Sequence, residues 1–192
     1  AISLPQIRHF DSFPSKVQDA INLLKSLKCS LLYIGTISQW FDFKLICEAL
    51  DKKEDVQLVL IGPKDCDIPS HKQIHYIGSV ERQYIYSLME QASALVMPFI
   101  VNELIRSVNP VKMYEYIYME KPIIAPHYGE MEKFLPYINL YHDNDEFMSL
   151  VDQLSKSELQ ISSEKGSERK GFAEKNTWES RYEEVKKILF NV

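Results

Sequence analysis

The sequence predicts an α/β fold, a Rossmann-like open parallel sheet of about six strands with helices on both faces. Three observations lead there. Short apolar runs such as SLLYI (30–34) and VQLVLI (56–61) are continuous rather than alternating, as in strands covered on both faces. Segments with helical spacing separate them, and such alternation implies βαβ crossovers. Gly35, Gly62 and Gly78 each follow such a run, which puts three flexible turns at the carboxyl ends of the strands.

Taken in order, residues 1–14 hold two prolines and no sustained period, and read as a linker or arm. Val17, Ala20, Ile21, Leu24 and Leu27 are spaced for a helix over 15–28. The strand 30–34 follows, then a helix over 41–50 with Phe41, Leu45 and Ala49 on one face. The second and third strands cover 56–61 and 73–77, and a helix covers 82–91. A fourth strand at 94–97 is closed by Pro98. After the stretch 109–125 come a short helix around Met131, a strand at 138–141 and a helix over 145–156. Residues 157–175 are rich in Ser, Glu and Lys and are expected to be exposed and only partly helical. Thr177 is placed to cap a last helix, with Trp178, Tyr182, Val185, Ile188 and Leu189 on one face. The expected organisation is an arm and first helix (1–28), a Rossmann-like domain (29–175) and a C-terminal helix (176–192).

Composition narrows the function classes. The 192 residues are 45% hydrophobic and 26% charged, as in ordinary globular proteins. A net charge of −5 without a Lys/Arg run argues against a nucleic-acid partner. No apolar stretch reaches membrane-spanning length, and no signal peptide opens the chain. Cys29, Cys47 and Cys66 have no CxxC spacing, so reduced thiols in the cytoplasm are expected, and no metal site. The opening residue, Ala1 rather than Met, suggests a piece of a longer chain. The dinucleotide fingerprint, the P-loop, GxSxG and HExxH are all missing.

The stretch NPVKMYEYIYMEKPIIAP (109–126) carries the chemistry. Asn109 at the N-cap and Pro110 at the first helical position would open a helix that is apolar on almost every side. Lys112 opposes the positive end of that helix's dipole, and Glu115 is a carboxylate on a buried helix. One reading makes them an internal pair, three residues apart. The other makes Lys112 and the free N–H groups a phosphate site, with Glu115 accepting from sugar hydroxyls. A phosphate beside a hydroxyl-bearing ring describes a nucleotide or a sugar nucleotide. Ligands of open α/β sheets bind beyond the strands' carboxyl ends, the rim that the glycine turns share. His127, following the strand that ends at Ala125, is the histidine expected on that rim.

GTISQWFD (35–42), VLIGP (59–63), IHYIGSV (74–80), MPF (97–99), NPVKMYEY with KPIIA (109–125) and NTWESRYEEV (176–185) occur in that order. In these motifs the chain resembles the C-terminal, donor-binding half of a GT-B-fold glycosyltransferase. It is most similar to the branch that makes capsule, teichuronic-acid and other bacterial surface polysaccharides. The resemblance implies transfer of a sugar from a UDP- or GDP-sugar to an acceptor hydroxyl, with no cofactor beyond that donor. Glu115 would hold the ribose hydroxyls, and Asn109, Pro110 and Lys112 would lie beside the diphosphate. Gly35, Thr36 and Gly62 would face the cleft, and Ser79 and Val80 the base. It also implies an N-terminal acceptor-binding domain outside this stretch, and a cytoplasmic location at the inner face of the membrane. The resemblance assigns no catalytic residue.

Three positions depart from the family pattern. The loop after the first strand, TISQW, lacks the usual basic residue. Counting back from Glu115, the first of two paired glutamates is Ser107, with Glu103 the candidate to take its place. The glycine before Lys121 is Glu120. The alternatives are a degenerate Rossmann-like interaction module, in which Lys112 and Glu115 are a structural pair, and a sugar-nucleotide epimerase on the same fold.

Overall fold

The structure, a computed structural model, describes residues 10, 12–161 and 163–190, with the side chains of 163 and 164 excepted. The expected arm over 1–14 falls largely outside the described residues.

The first helix, α1 (Ser15–Ser26), buries Val17, Ala20, Ile21 and Leu24, the face its spacing predicts. Strand β1 (Cys29–Ile34) is buried at every position. Helix α2 (Phe43–Lys52) starts two residues later than expected because the Asp42 carboxylate caps it, accepting from Leu45 N at 2.9 Å. Strands β2 (Val56–Ile61) and β3 (Ile74–Gly78) follow, then α3 (Arg82–Gln91) and β4 (Ala94–Val96). A four-residue helix, α4 (Glu103–Arg106), lies where the sequence pattern shows only loop. It is capped by Asn102 Oδ1, which accepts from Ile105 N at 2.9 Å.

Helix α5 (Lys112–Tyr118) leads to β5 (Ile123–Pro126), and a 3-10 helix over Gly129–Tyr137 leads to β6 (Asn139–Tyr141). Helix α6 (Asn144–Ser155) is capped by Asp143, and α7 (Ser163–Lys175) and α8 (Trp178–Phe190) close the chain.

All six strands are parallel, in the order β3-β2-β1-β4-β5-β6. The chain grows outward from β1 to one edge, returns, and grows outward from β4 to the other. The order therefore reverses between β1 and β4, which makes the gap above their carboxyl ends the natural ligand crevice. Helices α1 and α3 pack together on one face, and α2 and α6 on the other. The core is continuous across the sheet.

The segment 157–175 departs from expectation. Its Ser, Glu and Lys content suggests an exposed and partial helix, yet α7 is regular and docks on α5. Arg169 is buried and donates to the Lys121 and Ile117 carbonyls at 2.7 and 3.4 Å, satisfying the end of α5. Phe172 stacks on Tyr114 at 5.7 Å. By contrast, the predicted apolar stripe of α8 is real but uncovered, with Trp178, Tyr182, Val185, Ile188 and Leu189 all exposed. The predicted cap is present, with Thr177 Oγ1 accepting from Ser180 N at 3.1 Å.

Candidate functional site

Two glycine turns build the floor of the crevice. Gly35 N donates to Ile61 O at 2.9 Å, so the turn after β1 lies directly on the end of β2. A Cβ on Gly62 would stand 2.2 Å from Gly35 O, and Gly62 has φ +139°. Only glycine fits such an approach in such a conformation.

Lys112 enters this crevice from the start of α5. Its ammonium lies against Gly35, where an added Cβ would stand 2.0 Å from Nζ, and 4.7 Å over the Tyr33 ring. Among the described residues Lys112 makes no hydrogen bond and no ion pair. Burial pushes its pKa down to about 8, with Glu115 pulling weakly the other way. A half-buried cation without a bonded counter-ion is costly, and a cation–π contact offsets only part of that cost.

Glu115 has a different partner from the one the internal-pair reading assigns. Arg82, the first residue of α3, donates through Nη2 to Glu115 Oε1 at 2.6 Å. The Tyr86 hydroxyl approaches the same oxygen at 3.3 Å. Burial and the Glu115 charge push the Tyr86 pKa up to about 12. The Lys112–Glu115 pair is therefore not formed. Among the described residues Glu115 Oε2 accepts no hydrogen bond, so one face of the carboxylate is left for another donor.

The helix opening differs from expectation as well. Asn109 and Pro110 precede a turn, and α5 begins at Lys112 without a side-chain cap. Asn109 Oδ1 instead accepts from Lys133 Nζ at 2.9 Å, while Pro110 is buried. The ammonium outbids a backbone N–H because a charge-assisted hydrogen bond is the stronger one. Glu103 is exposed in the first turn of α4. The Ser107 hydroxyl donates to Leu104 O at 2.7 Å. Thr36 is exposed, and its carbonyl accepts from Tyr33 OH at 2.9 Å. On the β3 side Gly78 has φ +80°, Ser79 O accepts from Lys16 Nζ at 2.8 Å, and Val80 is half-buried. His127 is tied to Glu132 at 3.3 Å and stacks on His142 at 4.4 Å.

Above β1 and β4 lies a pocket of about 440 Å³, lined by Tyr33, Thr36, Trp40, Phe99, Leu104, Ile105, Val108 and Lys112. Of the expected residues, Thr36 and Lys112 meet in it, with Gly35 behind Lys112, while Glu103 does not line it. Among the described residues no three His, Cys, Asp or Glu side chains are grouped to hold a metal ion, and no helix is long and apolar enough to cross a membrane.

No family model matches the chain. It is 24% identical over 166 residues to a Bacillus subtilis (strain 168) protein named "Putative teichuronic acid biosynthesis glycosyltransferase TuaH", covering 81% of this chain and 41% of that protein. Among solved structures it is similar to WaaG, a glycosyltransferase involved in lipopolysaccharide biosynthesis, with a TM-score of 0.66 and 13% identity over 100% of this chain and 55% of that one. Anabaena HepE in complex with UDP gives a TM-score of 0.66 and 12% identity, covering 94% and 54%. Trehalose-6-phosphate synthase OtsA gives 0.65 and 12%, covering 91% and 46%. The fold is that of one half of a GT-B glycosyltransferase. This chain spans about half the length of the solved GT-B structures it matches, and 41% of the curated relative.

Within this GT-B half the departure at Glu120 has a local cause and a local remedy. Glu120 has φ +54°, the conformation that glycine adopts freely. Its carboxylate reaches Lys170 Nζ at 2.5 Å on α7, over Gly166, where a Cβ would stand 2.3 Å from Oε1. The sequence pattern did not single out Arg82, Tyr86, Tyr33 or Trp40. Arg82 and Tyr86 carried a readable signal, a four-residue spacing that puts both on one face of a helix opening just after the Gly78 turn. Tyr33 and Trp40 carried none, because an aromatic beside a buried strand usually means core.

Proposed function

We propose that this chain is the donor-binding half of a glycosyltransferase, holding a nucleoside diphosphate sugar at the β1/β4 switch point. The observation that carries this reading is Lys112, a half-buried ammonium with no bonded carboxylate among the described residues, set against the Gly35 turn at the rim where α/β sheets bind ligands. A diphosphate supplies the missing counter-charge, and the Gly35 and Gly62 turns let its oxygens come close to the backbone. One turn along α5, the unengaged Glu115 Oε2 accepts from ribose hydroxyls while Arg82 fixes the carboxylate through Oε1. Lys112 then stabilises the charge that develops on the leaving diphosphate as the sugar departs.

The UDP complex of HepE supports a UDP-sugar, with a GDP-sugar the alternative donor, and the name of the curated relative supports a surface polysaccharide as product. A partner domain carrying the acceptor would supply the opposite wall of the cleft. Calorimetric titration of UDP and GDP into the wild type, Lys112→Met and Glu115→Ala tests the reading. Wild-type binding that weakens in both variants is expected, and undetectable wild-type binding at millimolar nucleotide would sink it.

A further inference from the structure

We propose that the pocket beyond Lys112 is the glycosyl subsite, and that it selects a hexose bearing a methyl group, an N-acetyl or a 6-deoxy sugar, over a fully hydroxylated one. This rests on the donor reading above, and goes further by naming the class of sugar.

The order of groups along the crevice sets the position. Glu115 faces α3, where Arg82 and Tyr86 hold it, on the side of the sheet leading to β3. Lys112 Nζ comes next, over Tyr33 of β1. Beyond it, between the turns after β1 and β4, the pocket opens with Lys112 as one of its walls. A nucleotide sugar runs ribose, diphosphate, sugar in a line. With the ribose at Glu115 and the diphosphate at Lys112, the hexose arrives in this pocket, whose volume of about 440 Å³ suits one sugar ring with a substituent.

The wall chemistry sets the class. Trp40, Phe99, Leu104, Ile105 and Val108 supply most of the lining, and among the described residues no carboxylate or amide side chain lines the pocket. Of its polar side chains the exposed Thr36 hydroxyl has no partner among the described residues, and the others are engaged. The Tyr33 hydroxyl donates to Thr36 O and is approached by Trp40, and Lys112 is taken up by the diphosphate. Ser107, which stands in register with a family glutamate, turns its hydroxyl to Leu104 O. A hexose hydroxyl pressed on the apolar part of this wall gives up water without finding a partner there, whereas a methyl gains contact, and the amide of an N-acetyl group turns to the exposed Thr36 hydroxyl and to solvent. One methyl in an apolar site is worth about tenfold in discrimination, and a half-open crevice without its partner domain gives somewhat less.

Matched donor pairs test this by calorimetry on the 192-residue chain, with UDP and GDP alone as references. UDP-N-acetylglucosamine against UDP-glucose reads the N-acetyl source, and GDP-rhamnose against GDP-mannose the 6-deoxy source. The expected result is that in one pair the methyl-bearing donor binds about fivefold or more tightly than its partner. Leu104→Asn, a change at a side chain 59% exposed and so outside the core, is expected to bring that ratio close to one. If UDP or GDP binds but both pairs bind alike, the subsite assignment is overturned and the donor reading survives. A preference undiminished in Leu104→Asn overturns it too. If no nucleoside diphosphate binds at all, the donor reading falls and this inference with it.

Discussion

Arg82 holds Glu115 by one oxygen only, Nη2 to Oε1 at 2.6 Å, and leaves Oε2 without a hydrogen bond among the described residues. The two members are unequal, since the Arg82 side chain is 68% exposed and that of Glu115 17%. The arginine is thus a solvated brace, and in the proposed donor site the carboxylate is the part that meets the ligand. Glu115→Ala removes acceptors for two hydroxyls and is expected to weaken UDP-sugar binding by about 10- to 100-fold, the range for charge-assisted hydrogen bonds. Arg82→Ala removes only the brace, and about a threefold loss is expected, because exposed ion pairs contribute little. Equal losses in the two variants would contradict this division of roles. Titration of both with the same UDP-sugar measures it.

Lys112 is expected to make donor binding depend on pH. Its free ammonium has a pKa of about 8, lowered by burial, and a bound diphosphate raises it by stabilising the charged form. Affinity for a UDP-sugar, whose diphosphate does not titrate in this range, is therefore expected to be flat near pH 7. Above pH 8 it falls, approaching tenfold per pH unit. Lys112→Met is expected to bind weakly and without that slope. A profile flat from pH 7 to 9 in the wild type would exclude Lys112 as the diphosphate cation.

The same residue sets function against stability. The folded-state pKa of about 8 lies below the usual lysine value of 10.5, so between these two the unfolded chain binds more protons. Stability therefore rises with pH across that window, and the penalty is fully present below about pH 8. Lys112→Met removes a charge and keeps an unbranched apolar side chain over Tyr33. It is expected to stabilise the chain at pH 7 by ~1–3 kcal/mol, several degrees in Tm. A melt that shows Lys112→Met less stable than the wild type would mean that the cation is held by its surroundings, not strained by them.

These expectations also show what the sequence made legible. The buried strands, the glycine turns and the alternation could be read because continuous apolar runs and positive-φ positions leave marks on composition. Lys112 and Glu115 stood out because charge on a buried helix runs against local preference. Their partnership could not be read. Whether Glu115 meets Lys112 three residues away or Arg82 thirty-three away depends on how α3 and α5 lie across the sheet, and residue spacing carries no trace of that. The docking of α7 was hidden for a similar reason. Its sequence is polar almost throughout, and its anchors include one arginine bonded to backbone carbonyls and one stacked phenylalanine.

Gly35 and Gly62 are expected to fail differently when replaced by alanine. At Gly62 the new Cβ meets the Gly35 backbone at 2.2 Å, and neither strand end can withdraw without breaking the β1–β2 ladder. Gly62→Ala should cost more than ~2 kcal/mol, through both overpacking and φ strain. At Gly35 the new Cβ meets the tip of Lys112, a flexible side chain that can swing away. Gly35→Ala should melt closer to the wild type yet lose donor affinity, because Nζ leaves its place. Denaturant melts paired with UDP titration separate the two, and a Gly35→Ala chain with wild-type affinity would show that the Nζ position is not what binds.

Glu120 offers a change that should improve the chain in high salt without touching the crevice. A glutamate at φ +54° carries the left-handed cost of about 1–2 kcal/mol, which glycine avoids. Against this stands the Glu120–Lys170 pair at 2.5 Å, whose members are 36% and 42% exposed. Pairs so open to water are worth about 0–1 kcal/mol. Glycine also adds backbone freedom to the unfolded chain, which returns roughly 0.5–1 kcal/mol. The terms nearly cancel in low salt, and the ion-pair term fades as salt screens it. Glu120→Gly is therefore expected to match the wild type within about 0.5 kcal/mol at low ionic strength and to overtake it at 1 M salt. Denaturant melts at both salt concentrations check this. A variant destabilised by more than about 1 kcal/mol at high salt would show that the contact over Gly166 holds α7 to α5 by packing, since screening would already have removed the charge.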